Sequence, residues 1–197
     1  MRWSPKQYQR TMLTPELMLE GLPEISKTGL PSGIFGNLKT IDVMKKVARE
    51  RAGHPLVQTL ARAILLSYNV DSQNYADEAL AIGDYVKNKV RYVRDPDGIE
   101  QLSDPITMID QIKRGTAMGD CDDMALLIGT LLLSVGGVPY FRAIRYKGDS
   151  GPFNHIYVVT YDKNWGGKEK RIVLDAILKR SPIGTEVPHS SGNEYRV

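Results

Sequence analysis

The run Met124-Ala125-Leu126-Leu127-Ile128-Gly129-Thr130-Leu131-Leu132-Leu133-Ser134-Val135 is apolar on almost every side of a helix. A helix of that kind has to be enclosed by other elements. This one is too short to span a bilayer. It is therefore read as a central helix over about 122–134, ended by Gly136-Gly137. The only cysteine of the chain, Cys121, stands at its start, within Gly119-Asp120-Cys121-Asp122-Asp123.

The 197 residues allow one domain with an appendage, and enough length for a core. A net charge of +3 is too small to require nucleic acid as a partner. One cysteine makes no internal disulfide, so nothing calls for an oxidising compartment. Met1-Arg2-Trp3-Ser4-Pro5 lacks the apolar run of a signal peptide. The expectation is a chain made in the cytoplasm, with no membrane association and no cofactor. Later incorporation into a virus particle is left open.

Residues 1–38 hold Pro5, Pro15, Pro23 and Pro31 among several glycines and read as an extended arm, with a short helix starting at Thr14. Helical spacing follows. Ile41, Val43, Met44 and Val47 mark one helix up to Gly53. Val57, Leu60, Ala61, Ile64 and Leu65 mark a second after Pro55. A third runs from about Gln73 to Val90. Lys45, Lys46, Arg49 and Arg51 give the first helix a basic face, read as solvated. Asp95-Pro96-Asp97-Gly98 is a turn. A short helix near Ile106–Ile112 and a loop over 113–119 lead to Cys121. Three strands come next, Tyr140–Tyr146, His155–Tyr161 and Arg171–Ala176, and residues from Ser181 read as a polar tail. The expected class is α+β, a helical N-terminal half packed on a small antiparallel sheet.

A thiol reacts as thiolate, and a helix N-terminus and a neighbouring imidazole both favour that form. Asp120, Asp122 and Asp123 suit a helix start but oppose a thiolate, so they have to point away. Of the three histidines, His54 lies between helices, His189 lies in the tail and His155 begins a strand. If the last two strands form a hairpin, pairing Ile156 with Leu174 and Val158 with Ile172 matches the apolar residues on one face. The same register sets His155 opposite Asp175. A slip of one residue would separate them.

This order, Gly-Asp-Cys-Asp-Asp, a helix, His155 at a strand start and Asp175 on the next strand, resembles the transglutaminase-like superfamily. The helix from about Ala79 and Val90-Arg91-Tyr92-Val93-Arg94-Asp95 resemble the same family's approach to its core. The likeness covers about residues 75–180 of a domain placed at 39–180, flanked by the arm 1–38 and the tail 181–197. It implies a papain-like fold with a Cys-His-Asp triad: Cys121 as nucleophile, His155 as base and acid, Asp175 as the orienting carboxylate. It also implies a protein or peptide substrate and thiol-dependent acyl hydrolysis or acyl transfer, as in peptidase, deamidase or cross-linking chemistry. The Cys121 backbone N–H is the first oxyanion donor on this reading, and Gln111, Gln101 and Tyr92 are candidates for the second. A weaker likeness is to small proteins of tailed phages and prophages.

The alternative is a structural or assembly protein, with residues 1–38 and 181–197 contacting neighbouring subunits. A divalent-metal site from Asp120, Asp122, Asp123 and His155 is a third reading, but the run lacks the alternating ligand spacing of an EF-hand, and no metal is expected. Tyr140, Phe141, Tyr146, Tyr157 and Tyr161 read as core and sheet surface. Trp165, at a Gly-rich tip, is a possible partner anchor.

Overall fold

The computed structural model describes residues 28–30, 34–71, 73–95, 100–162 and 169–197. The expected helix at Thr14, most of the turn after Asp95 and the Trp165 tip fall outside them.

Three of the helices begin where the sequence supplies a side-chain partner for the unpaired N–H groups. A short strand, β1 (Thr28–Leu30), precedes α1 (Ile34–Ala52). In α2 (Pro55–Ser67) the cap is His54, whose Nδ1 accepts from Leu56 N–H at 3.2 Å, and Pro55 fills the first turn. Asn74 caps α3 (Tyr75–Lys89), which carries Asp77 and Glu78 in its first turn and Lys87 and Lys89 in its last, as the helix dipole favours. The strands β2 (Arg91–Tyr92) and β3 (Glu100–Leu102) follow. Asp104 caps α4 (Pro105–Lys113) through Ile106 N–H at 2.9 Å and also binds Arg51 of α1 at 2.8 Å. Lys46 and Arg51 of the basic face thus have acidic partners, Glu50 at 3.9 Å and Asp104.

The stretch expected as a loop before Cys121 contains β4 (Met118–Gly119), which pairs in parallel with β2: Arg91 with Met118 and Tyr92 with Gly119. Two residues are too few for a strand pattern to show in sequence. This pair brings Tyr92 to the start of α5 (Cys121–Ser134). Everything in α5 from Asp122 to Leu132 is buried. It touches α1, α2, α3, α4 and the strands behind it, so it is the central helix its composition requires. Gly136, at φ 87°, lets the chain leave it.

The main sheet has the order β7-β6-β5-β8, all antiparallel: β5 (Tyr140–Tyr146), β6 (His155–Asp162), β7 (Lys170–Leu174) and β8 (His189–Arg196). Phe141, Ala143, Ile156, Val158, Ile172 and Leu174 join the helical core on one face. Ile144, Tyr157, Val159 and Val173 form a smaller cluster on the other. Gly129 of α5 lies so close to β5 that a Cβ there would stand 2.9 Å from the Phe141 ring.

Three further expectations are corrected. First, β6 and β7 pair as Val158 with Leu174 and Thr160 with Ile172, two residues away from the expected register. A shift of two preserves which face each side chain occupies, so the apolar match survives it. Second, residues from Ser181 are not simply a tail, because β8 adds a strand to the edge of β5. Its sequence, His-Ser-Ser-Gly-Asn-Glu-Tyr-Arg, has no apolar alternation. Ion pairs hold it instead: Glu194 accepts from Arg142 at 3.0 Å, Arg171 at 3.2 Å and Tyr161 at 2.6 Å. Part of the segment read as an arm is likewise in regular structure. β1 pairs antiparallel with β3, and α1 begins at Ile34.

Candidate active site

The thiol of Cys121 is placed by the first turn of α5, whose backbone N–H groups have no partner within the helix. Gly119 is required just before it. A Cβ at that position would lie 2.6 Å from Asp123 Oδ2. His155, the first residue of β6, is 4% exposed, and Asp175, just past β7, is 2% exposed. The His155 Nε2–H donates to Asp175 Oδ2 at 2.8 Å. In the actual register His155 and Asp175 are diagonal neighbours rather than opposed, which still lies within side-chain reach. Asp175 Oδ1 accepts from Ile177 N–H at 3.3 Å, which holds the carboxylate. With Nε2 committed to Asp175, the free nitrogen of a neutral ring is Nδ1.

Cys121 and His155 line one cavity of about 110 Å³. Burial, then the Asp120 and Asp122 carboxylates, push the Cys121 thiol well above its ordinary range, while the Ile156 backbone N–H opposes them by favouring thiolate. The acidic neighbours thus act on the thiol as charge reasoning requires.

Two of those neighbours are turned toward backbone donors. Asp123 N–H donates to Asp122 Oδ1 at 2.8 Å, and Ser103 N–H donates to Asp123 Oδ1 at 2.6 Å. Burial and its contact with Asp120 raise the Asp122 carboxyl far above the carboxylate range. Burial raises Asp123 to about 6, against the Ser103 hydrogen bond. Ligand oxygens of Asp120, Asp122 and Asp123 lie within 4.8 Å of one another, close enough for one cation. His155 does not belong to that group, so the four-residue metal site is corrected to three carboxylates, of which burial raises Asp122 and Asp123.

Of the other residues singled out in the sequence, Tyr92 lies near the thiol. After burial, the charges of Cys121 and Asp120 raise its phenol. Gln101 sits in β3, paired with Gly29, and its N–H donates to Asp95 Oδ2 at 2.5 Å. Gln111, in α4, has a buried Oε1 without a partner. Neither glutamine lines the Cys121 cavity. His54 is a helix cap. His189 Nε2 lies 2.8 Å from Arg142 Nη2.

Sequence reasoning missed three contributors. Tyr146 stacks on the His155 ring, with centroids 5.3 Å apart and planes at 11°, and Tyr157 lies on it at 5.4 Å. Alternation along β5 and β6 could have placed both tyrosines on the face of His155. Thr40, from α1, borders the cavity. No local signal identifies it, because it arrives through helix packing.

A thiol at the N-terminus of a buried central helix, packed on an antiparallel sheet whose adjacent strands hold a His–Asp pair, is the α+β arrangement expected of a papain-like fold. No family model matches the chain, and no curated protein matches it significantly. Among solved structures it is similar to a candidate cysteine protease from Cytophaga hutchinsonii (17% identity, TM-score 0.41, covering 72% of this chain and 51% of that one). It is also similar to a candidate protease from Parabacteroides distasonis (17%, TM-score 0.46, covering 75% and 30%). A third is LapG of Legionella pneumophila (17%, TM-score 0.40, covering 71% and 74%). The chain spans about half the length of the first and under a third of the second. Among the described residues no helix is long and apolar enough to cross a membrane.

Proposed function

We propose that this chain is a thiol-dependent acyl hydrolase or acyltransferase acting on amide bonds of a protein or peptide. The observation that carries the reading is the buried His155–Asp175 hydrogen bond at 2.8 Å, with the ring and the Cys121 thiol on one cavity.

The chemistry follows from the protonation states. The thiol is neutral at rest, because burial and the aspartates hold its proton on. Attack on a carbonyl therefore goes together with transfer of that proton to His155 Nδ1, rather than starting from a standing ion pair. Asp175 stabilises the imidazolium that forms. The imidazolium gives its proton to the leaving amine, the C–N bond breaks, and a thioester on Cys121 remains. Water then yields an acid, and an amine yields a new amide. The Cys121 N–H is one donor to the oxyanion. Tyr92 is the second in this reading, supported by its pairing with Gly119 on the strand that leads into the Cys121 turn; Gln101 and Gln111 have no such link to that turn.

Cys121→Ala should lower turnover of a reactive acyl donor or a peptide panel by at least roughly 10³-fold. Activity that survives the loss of the thiol would refute the reading. The assembly alternative has less support at the C-terminal end, where 189–196 pair within the molecule's own sheet. A phage origin rests on the sequence likeness alone.

A further inference from the structure

We propose that Thr40 and Asp120 hold the water that hydrolyses the acyl-enzyme, an inference that rests on the thiol reading above. Two buried side-chain oxygens, Thr40 Oγ1 and Asp120 Oδ1, make no hydrogen bond. Both residues line the cavity shared by Cys121 and His155. Thr40 is 6% exposed, so bulk solvent does not satisfy its hydroxyl. Buried polar atoms are almost always paired, and an orphan costs the full desolvation of the group. Two orphans on one small cavity call for a polar occupant.

The chemistry of the pair selects that occupant. A carboxylate only accepts hydrogen bonds, whereas a hydroxyl donates or accepts. The occupant must therefore donate to Asp120 while bonding to Thr40. Water meets both demands, and about 110 Å³ is ample for it. An oxyanion does not, because the Asp120 charge would repel it. Ile41 and Phe153 supply an apolar boundary to the same cavity. The water is thus held beside the nucleophile, where the thioester carbonyl forms, with His155 at the same cavity. Its oxygen bonds to the thioester carbon while its proton passes to His155 Nδ1. The C–S bond then breaks, Cys121 takes the proton back, and a carboxylic acid leaves. Thr40 is a positioning residue in this step.

The test uses p-nitrophenyl acetate with the full chain, and follows the burst of nitrophenol (acylation) and the steady state (deacylation). Thr40→Val keeps the shape and removes the hydroxyl. The expected result is an unchanged burst, deacylation slowed about tenfold, acetyl-enzyme accumulating by intact mass, and recovery in Thr40→Ser. Added hydroxylamine, arriving from solvent, should release the acetyl group of Thr40→Val at the wild-type rate. The proposal is overturned if deacylation is unchanged, if burst and steady state fall together, or if hydroxylamine release slows as much as hydrolysis. If Thr40→Val does not fold, Thr40→Ala is read by the same criteria. A burst that persists in Cys121→Ala would instead sink the thiol reading and the water site with it. Loss of the burst there, with deacylation of Thr40→Val unaltered, sinks the water site alone.

Discussion

Cys121, Asp122 and Asp123 are consecutive, and each is pushed upward chiefly by its own desolvation. Desolvation, then the charges of nearby carboxylates led by Asp120, push the thiol well above its ordinary range. Its alkylation by iodoacetamide should therefore be slow at pH 7 and still be rising above about pH 10, where an ordinary thiol has levelled off. A plateau reached below pH 8 would contradict the neutral resting thiol. Asp123 shows the stability side of the same effect. Its folded-state value of about 6 exceeds that of an unfolded aspartate, so the fold binds that proton more tightly. Stability from this group is present below about pH 4 and is lost as pH rises through about 6. Asp123→Asn, which can still accept from Ser103 N–H, should raise the melting temperature at pH 7.5 by more than at pH 4, as read by calorimetry. Much of this residue-scale picture was legible. The aspartates flank the thiol in sequence, so their repulsion could be foreseen. Thr40 could not, because it reaches the site through packing between distant segments.

Among the elements, α5 shows most directly how composition dictates placement. Its apolar circumference leaves it nowhere but the centre, and Gly129 sets how near the sheet comes. Gly129→Leu should cost about 1–3 kcal/mol, because the added side chain must displace Phe141. Denaturant unfolding measures it; a neutral result would mean that the helix–sheet spacing is not fixed there. The β6–β7 register shows what pattern reasoning can and cannot resolve. Alternation has period two, so it fixes the face of each residue and is blind to shifts of two. Ile156 pairs as well with Leu174 as Val158 does by that criterion. Faces were therefore read correctly and partners were not, and His155 meets Asp175 along a diagonal. Helix starts were more legible, since His54, Asn74 and Asp104 cap through side chains adjacent in sequence.

For the whole molecule, the outer face of the sheet carries an ionic network that ties the C-terminal residues to the strands. Arg171 donates to both oxygens of Glu186 at 2.8 Å, and Glu194 joins Arg142 and Arg171. Burial alone would raise Glu186, but hydrogen bonds from Arg171 and Tyr157 hold it at about 2. A depressed folded value contributes stability that is complete above the unfolded value near 4.5 and is lost as pH falls toward 2. The wild type should lose melting temperature over that interval more steeply than Glu186→Gln, a difference that thermal scans from pH 5 to pH 2 would reveal. The chain's local content determined the central helix, the strand faces, the helix caps and the presence of a thiol at a helix start, because these depend on residues within one or two turns of each other. Tertiary structure alone decided the hairpin register, the recruitment of 189–196 as β8, and the arrival of Thr40 at the thiol. Those rest on contacts between segments far apart in the chain, whose partners no local pattern specifies.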